Sequence, residues 1–428
     1  MELALRLARA LSHRNYRLFF YGQSVSLVGT WITRVAISWL VYRLTGSELL
    51  LGIVGFAGQI PTLLLAPFAG VVVDRHNRHR ILIWTQAASL VQSVLLAILT
   101  LSDLITVPQL IVLQLLQGVV NSFDTPARQA LVVEMVTNRA DVPNAIALNS
   151  SMVNGSRVIG PAIGGVIIAA VGEGWCFAID AVSYVGVIVS LLLMRLEPRS
   201  LSAASLPLLH DLRSGFQYVR ESVPIRSGLI LLALVSVAGV PYTVLMPAVV
   251  AETLGGGPDL LGWLMGASGV GALSGALYLA SRETVVGLGR VILTGALAFG
   301  AGLVAFSATR SVWLAAPVLA FAGAGFIVQA ASTNTVIQTI VDEQFRGRVM
   351  AFYTMAFFGS VPIGSLISGV VATYIGATTT IRVGGFVCIA AGLWFATRLP
   401  VLRAAVRPIY IKRGIIAPPD VDPGGTAG

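Results

Sequence analysis

Long apolar stretches alternate with short polar stretches over most of the chain. Twelve of the apolar stretches are about 20 residues or longer, the length that an α-helix needs to cross a bilayer. They cover residues 17–42, 49–73, 81–101, 107–127, 144–171, 175–195, 227–250, 260–281, 289–308, 312–335, 350–375 and 378–398. Barrel strands would instead alternate apolar and polar residues over short segments. Because only helices and closed barrels span hydrocarbon, the pattern predicts an all-α polytopic membrane protein with twelve transmembrane helices.

Composition and charge support this class and exclude others. Of 428 residues, 56% are hydrophobic and 11% are charged, whereas about 25% are charged in an average soluble domain. With the N-terminus placed inside, 23 of the 28 Lys and Arg residues fall in segments on one side of the membrane. This asymmetry is the positive-inside rule. The net charge of +9 therefore reflects membrane topology rather than nucleic-acid binding, and we expect a cell-membrane protein with both termini cytoplasmic.

The second half of the chain resembles the first. Glycines recur at an offset of about 204 residues: Gly160, Gly165 and Gly172 match Gly364, Gly369 and Gly376. Chance similarity among glycine-rich helices is the alternative to duplication. Six spans in each half would give two parallel repeats, with an N-terminal half at 1–195 and a C-terminal half at 227–398. Between them, 196–226 is a cytoplasmic linker with an amphipathic helix, and 399–428 is a disordered cytoplasmic tail.

A charged turn at 70–80 separates the second and third spans. Its spacing is G-x3-D-R-x2-R-x-R, formed by Gly70, Asp74, Arg75, Arg78 and Arg80. An ordinary positive-inside loop would also be rich in arginine, but it would not require the glycine and the aspartate. A turn with this charge cannot lie in hydrocarbon, so it fixes one face of the membrane.

This turn resembles the loop between the second and third helices of major facilitator superfamily transporters. The form DRxNRxR, with Asn77 and His79 in place of the commonest residues, is similar to that of the enterobactin-exporter and macrolide-efflux-like subgroup. The resemblance implies a conformational latch in which Asp74 faces the start of span eleven, near Val349. A second mark of the subgroup is the segment 123–129, in which Asp124 and Arg128 lie one helical turn apart. They are candidates for the same latch, with a local salt bridge as the alternative.

Span five holds Gly160, Pro161, Gly164 and Gly165. This GPxxGG segment resembles the antiporter motif of the family, although Ser156 replaces its first glycine. Small residues allow close helix approach in membranes, so generic glycine-rich packing is the alternative. The resemblance favours export over import.

Three charged residues lie well inside spans of the first half. Arg34, Arg157 and Asp180 are each roughly 20–25 Å from the inner ends of their spans, at 1.5 Å per residue. At this shared depth they could form one cluster. Buried charges in spans usually face an interior cavity, and Asp180 is the leading candidate for a proton carrier. A structural Arg–Asp pair that never titrates is the alternative.

The substrate path can be predicted only from the resemblance, in which spans one, four, seven and ten line it. Polar or aromatic candidates in those spans are Gln23, Trp31, Gln114, Asn121, Tyr242, Gln329 and Asn334. Span four carries Gln114 and Gln117 where many proton-coupled members have an arginine in R-x2-Q-G, so that residue's role is not transferred here.

Several classes of function lack their motifs. The single lysine, Lys412, lies in the tail, so the chain has no P-loop lysine for ATP. We find no metal-ligand spacing or nucleophile–base motif in the sequence, and we predict no enzyme, no metal site and no cofactor. We therefore expect a monomeric secondary exporter of amphipathic small molecules (a drug, macrolide or siderophore) in the lipid bilayer, driven by protons through alternating access. The alternatives are an importer or lipid flippase on the same fold, or a receptor that transports nothing.

Overall fold

The structure is a computed structural model that describes residues 9–196 and 208–417. Over those residues it consists of helices and short connections. Three single turns of 3-10 helix, at Arg9–Ser12, Arg139–Asp141 and Glu343–Phe345, precede helices. The α-helices are α1 (Arg14–Thr45), α2 (Glu48–Arg75), α3 (Arg78–Leu101), α4 (Val107–Glu134), α5 (Val142–Val171), α6 (Glu173–Leu192), α7 (Leu208–Glu221), α8 (Val223–Ala238), α9 (Tyr242–Ala248), α10 (Pro258–Ala280), α11 (Leu288–Ala308), α12 (Val312–Ile340), α13 (Arg346–Thr354), α14 (Ser360–Ile375) and α15 (Ala377–Lys412).

Within the described residues, eleven helical segments are long and apolar enough to cross a membrane. The predicted span 107–127 is the one that is not among them. It forms α4, a helix of 28 residues, but its polar residues, including Gln114, Gln117 and Asn121, lower its hydropathy. Helix α4 packs along α2 and α3. Part of its surface therefore faces other helices rather than the surroundings of the protein.

Two predicted spans are not continuous α-helices. Span 227–250 is divided into α8 and α9 at residues 239–241, and a π-helical turn, Val249–Thr253, follows α9. Span 350–375 is divided into α13 and α14 by a second π-helical turn, Met355–Gly359. Apolar periodicity predicts the length of such spans but not the register change inside them.

The helices form two groups by their contacts. Helices α1–α6 pack on one another, as do α8–α15; we call these the N-terminal group and the C-terminal group. The groups meet along two helix pairs, α2 with α14 and α5 with α10.

Four glycines make both of those contacts possible. A methyl group built on Gly52 would lie 2.8 Å from Cα of Gly369, and one built on Gly262 would lie 2.8 Å from Cα of Gly165. We call these two pairs the glycine seams. The predicted duplication relates the two seams to each other. Gly165 corresponds to Gly369 at offset 204, and Gly52 corresponds to Gly262 at offset 210.

The two groups are joined most closely near one end of the bundle. We call the end with the 70–80 turn and α7 the basic end. The glycine seams lie near the opposite end, where the Tyr42 hydroxyl also donates to Glu252 Oε1 at 2.7 Å across the two groups. At the basic end, a methyl group built on Gly70 would have no neighbour within 4 Å. No hydrogen bond or ion pair between described residues joins the two groups there. The glycine seams and the hydrogen bond that join the groups therefore lie towards the end opposite the basic end.

The linker helix α7 docks on the C-terminal group. The Tyr218 ring stacks on Phe345 with centroids 4.4 Å apart, and the Tyr218 hydroxyl donates to Asp342 Oδ2 at 3.1 Å. Burial raises the pKa of the Tyr218 hydroxyl. The helix predicted within 196–226 thus occupies Leu208–Glu221, while 197–207 lie outside the described residues.

The prediction of a disordered tail from residue 399 is wrong for its first part. Helix α15 continues through Pro400 and Pro408 to Lys412. Tyr410 is buried against the C-terminal group, and an Arg413 Nη2 hydrogen bond of 2.7 Å to the Val341 carbonyl follows the helix end. These contacts outweigh the helix-breaking tendency of the prolines. Residues 418–428 lie outside the described part.

Candidate functional site

Asp180 is buried in the N-terminal group and is surrounded by hydroxyl groups. Its side chain is on α6, and the residue is 1% exposed. Thr33 and Ser93 donate to Asp180 Oδ2 at 2.8 and 3.1 Å, and the Ser183 hydroxyl lies 3.4 Å from Oδ1. Among the described residues, no arginine or lysine forms an ion pair with this carboxylate. Asp180 is therefore an intramembrane acid held by neutral donors.

The surroundings of Asp180 come from three packed helices. Helix α6 lies against α1 and α3, so Thr33 from α1 and Ser93 from α3 reach the same carboxylate. A methyl group built on Gly29 of α1 would lie 2.6 Å from Asp180 Oδ1. Only a glycine at this position leaves room for the acid.

These hydroxyl partners are not among the residues predicted from the sequence, although a signal for them exists. Helix α3 carries polar residues at three- and four-residue spacing: Thr85, Gln86, Ser89, Gln92 and Ser93. All five are buried. A buried polar stripe in a membrane helix indicates a face turned to a polar interior.

Arg34 and Arg157 do not join Asp180. Both guanidinium groups instead lie over the Trp31 ring, with Cζ atoms 4.7 and 5.9 Å from its centroid. The prediction of one cluster of three charges is therefore wrong. Depth along a helix fixes how far a side chain lies from the membrane surface, but not the face of the helix on which it lies. Asp180 faces the hydroxyl groups of Thr33 and Ser93 rather than the two arginines.

Arg157 is placed where the two groups meet. Its carbonyl oxygen would lie 3.0 Å from a methyl group built on Gly269 of α10. Gly269 follows Ser268, whose hydroxyl lies 2.6 Å from the Tyr242 hydroxyl. Of the residues predicted to line the substrate path, Trp31 contacts the Arg157 side chain, and Tyr242 lies against the part of α10 that the Arg157 backbone approaches.

The 70–80 turn forms an ion triad within the N-terminal group. Arg78 contacts Asp74 Oδ1 at 2.8 Å and Glu134 Oε1 at 2.7 Å. The Asp74 side chain is 70% exposed. Arg75 and Arg80 are exposed and form no ion pair with a described residue. In this structure Asp74 pairs with Arg78 and does not contact the start of span eleven near Val349, and Glu134 is not among the latch residues predicted from the sequence.

Asp124 is held apart from that turn. Its Oδ1 accepts hydrogen bonds from Thr85 at 3.0 Å and from Gln86 at 2.7 Å, and Arg128 lies 3.5 Å from its Oδ2. The geometry joins Asp124 to the polar stripe of α3 and to Arg128, not to Asp74 or Arg75.

The GPxxGG segment gives α5 two close contacts on different faces. Gly160 and Gly164 face α1, where a methyl group on Gly164 would lie 3.1 Å from Cα of Ile32. Gly165 faces α10 through its glycine seam. The carbonyl of Pro161 lies beside Gly262 in the same seam.

The remaining predicted path residues are not brought together. Gln23 and Gln329 are buried inside separate groups, at 3% and 0% exposure. Asn121 accepts a 3.2 Å hydrogen bond from Gln117. Gln114 lies against Gly58, and Asn334 accepts a hydrogen bond from Gln338 one turn along α12.

Several known proteins are similar in sequence to this chain over nearly its whole length. Residues 7–411 match the family described as transmembrane secretion effector. The staphyloferrin A transporter of Staphylococcus aureus is 26% identical over 388 residues, covering 89% of this chain and 96% of that protein. The multidrug efflux pump Tap of Mycolicibacterium fortuitum is 25% identical over 407 residues, covering 92% and 95%.

The fold also has solved counterparts. A bacterial homologue of the iron transporter ferroportin, solved in an inward-facing state, superposes with a TM-score of 0.68 at 16% identity, covering 91% of this chain and 98% of that one. This likeness concerns the fold alone. Together with the family match, it explains the paired groups of membrane-crossing helices. The chain belongs to the transmembrane secretion effector family of major facilitator superfamily transporters.

Proposed function

We propose that this protein is a proton-driven exporter of amphipathic small molecules that works by alternating access. The observation that carries the proposal is the surrounding of Asp180 by Thr33, Ser93 and Ser183. A hydroxyl can donate to a carboxylate and can also accept from a carboxylic acid. Such partners tolerate both protonation states, whereas an arginine would hold the acid ionised.

We further propose that α4 is a twelfth membrane-crossing helix, which gives two halves of six. Helix α4 is 28 residues long, about 42 Å at 1.5 Å per residue, and it lies beside α2 and α3. With twelve crossings, both termini lie on one side. The excess of arginine at the basic end assigns that side to the cytoplasm.

On this assignment, the described conformation is open to the cytoplasm. The glycine seams close the outer end, and the space around Trp31 opens inward. To release a molecule outside, the seams must part and the basic end must close. In that second state Asp74 would turn from Arg78 towards the N-terminal end of α13, where the helix dipole favours a negative charge.

Export rather than import is supported by the relatives. One is described as a multidrug efflux pump and another as a transporter of a named compound. The GPxxGG segment of α5, which resembles the antiporter motif, agrees with this direction. We expect the same direction and class of cargo here.

Transport can be tested once a cargo is identified. Compounds that accumulate in a strain lacking the gene are measured first, and everted membrane vesicles are then supplied with the strongest of them. We expect uptake into everted vesicles when the lumen is acidic, and collapse of that uptake when a protonophore is added. Uptake in right-side-out vesicles alone would show an importer. Uptake that persists without any gradient would contradict proton coupling.

A further inference from the structure

We propose that Arg34, Arg157 and Trp31 form a binding site for an anionic group, such as a carboxylate, on the transported molecule. We call these three residues the anion site. The inference rests on the proposed transport function, and it specifies the chemical class of the cargo. It also changes the role of the two arginines, which the sequence analysis placed in a cluster with the proton carrier.

The charges of Arg34 and Arg157 lie at the same place in the protein. Both guanidinium groups lie over the same indole ring, at 4.7 and 5.9 Å from its centroid. Arg34 keeps exposed surface and Arg157 is half-buried. A guanidinium group at mid-depth does not face hydrocarbon when a water-filled interior is available. The accessible surface of Arg34 therefore faces the interior of the helix bundle rather than hydrocarbon.

Neither of these two charges is neutralised by an acid among the described residues. In the part of the chain that the structure describes, Arg34 and Arg157 form no ion pair. Other arginines near acids do pair, as Arg43 does with Glu173 at 2.7 Å. Asp180 is the acid at similar depth, but its oxygens are occupied by hydroxyls.

Further charge around Arg34 does not change this balance. Another acid of the N-terminal group, Asp124, is also occupied, since Arg128 lies 3.5 Å from its Oδ2. The anion site thus holds two uncompensated positive charges inside the membrane. Arginine pairs bind carboxylate and phosphate groups through parallel N–H donors, whereas a cationic molecule would be repelled.

The residues beside the two arginines indicate the chemistry of the rest of the cargo. Trp31 presents an aromatic ring beside the charges. On the C-terminal group, a methyl group built on Gly269 would lie 3.0 Å from the Arg157 carbonyl oxygen, next to Ser268 and its partner Tyr242. These groups suit an apolar or aromatic body attached to the anionic group. Arg157 lies beside α10, at the contact between the groups. An anion bound there would therefore become accessible first from one side of the membrane and then from the other as the groups move.

The test uses the full-length protein in cells that lack the native gene. Compounds exported by cells expressing wild type, Arg34→Gln, Arg157→Gln and the double variant are compared by untargeted mass spectrometry at equal protein level. Arg34→Lys and Arg157→Lys retain the charge, and Arg382→Gln is the matched control. Arg382 also lies within a span, but it is hydrogen-bonded to Ser307 at 3.2 Å.

We expect every compound whose export requires the protein to carry a carboxylate or another anionic group. Export should fall by at least about tenfold in the double variant, the equivalent of about 1.4 kcal/mol of lost binding. The lysine variants should retain more export than the glutamine variants, and Arg382→Gln should match wild type. Neutral or cationic cargo, or full export by the double variant, would overturn the anion site while leaving the exporter intact. An absence of any protein-dependent export would contradict the proposed function itself.

A second measurement does not depend on transport or on folded variants. Purified wild-type protein is treated with phenylglyoxal, and the modification of each arginine is read by mass spectrometry. We expect Arg34 and Arg157 to be modified, because the space between the groups admits water. Protection of both from the reagent would overturn their assignment to an accessible site.

Discussion

Gly52 of α2 and Gly369 of α14 touch backbone to backbone: a methyl group built on Gly52 would lie 2.8 Å from Cα of Gly369 and 2.7 Å from the Ser365 carbonyl oxygen. This contact and its duplicate, Gly165 with Gly262, hold the two groups together at the end away from the 70–80 turn. In a bilayer, where apolar surface gives little drive for helix association, such close packing supplies much of the attraction.

We predict that Gly52→Ala weakens this closure. The new methyl group must displace backbone rather than a flexible side chain, so the outer end should open more often and net transport should fall several-fold. A cysteine introduced at Val244, which lies 3.3 Å from a methyl built on Gly55, reports the opening through its rate of labelling by an impermeant maleimide. Labelling should be faster in Gly52→Ala than in the parent.

Gly186→Ala is the matched control for that experiment. Gly186 also lies inside a helix, but a methyl group built on it has no neighbour within 4 Å. This change should leave both labelling and transport unaltered. Equal labelling rates in Gly52→Ala and Gly186→Ala would show that the seam does not control access.

The ion triad of the 70–80 turn should matter for transport more than for stability. Asp74 is 70% exposed, and exposed ion pairs contribute about 1 kcal/mol or less. We predict that Asp74→Asn leaves the melting temperature nearly unchanged but reduces export about tenfold, by weakening the state closed at the basic end. Transport and thermal melting are measured on the same preparation, with Asp103→Asn, an exposed acid of another loop, as the control. Normal export by Asp74→Asn would remove the latch from the account.

Asp124 should behave in the opposite way. It is 7% exposed and accepts hydrogen bonds from Thr85 and Gln86. Asp124→Ala would remove the acceptor of Gln86, at a cost of about 1–3 kcal/mol for a buried group left unsatisfied, and would leave Arg128 without its ion-pair partner. Thr85 would keep its bond to the Leu82 carbonyl. We predict a clearly lower melting temperature in detergent, with a milder loss in Asp124→Asn. A melting temperature equal to that of wild type would show that Asp124 has no structural role.

The fold class was predictable from the sequence because hydrophobic length is a strong signal. The apolar runs predict membrane helices, and the glycines shared between halves suggest a duplication, but they do not predict which helices of the two groups meet. In the structure, Gly172 and Gly376, which are 204 residues apart, adopt matching backbone conformations with positive φ, 89° and 77°. The break at Gly239–Pro241 and the two π-helical turns were not predictable, since they depend on packing between helices.

The candidate site was predictable only in part. Composition and depth identify Arg34, Arg157 and Asp180, but they do not fix which helix faces meet. Asp180 therefore faces Thr33 and Ser93, while the arginines face Trp31. The tail was mispredicted for a similar reason: Pro400 and Pro408 indicate disorder locally, but tertiary contacts of Tyr410 keep the helix.

The central claim is that Asp180 carries the proton that drives transport. The most direct measurement compares wild type with Asp180→Asn in proteoliposomes supplied with the identified cargo, following lumenal pH with a dye and exchange of labelled for unlabelled cargo. We predict that wild type moves protons when cargo is added, and that Asp180→Asn moves none while it retains cargo exchange. Cargo-dependent proton movement by Asp180→Asn at the wild-type rate would contradict the claim.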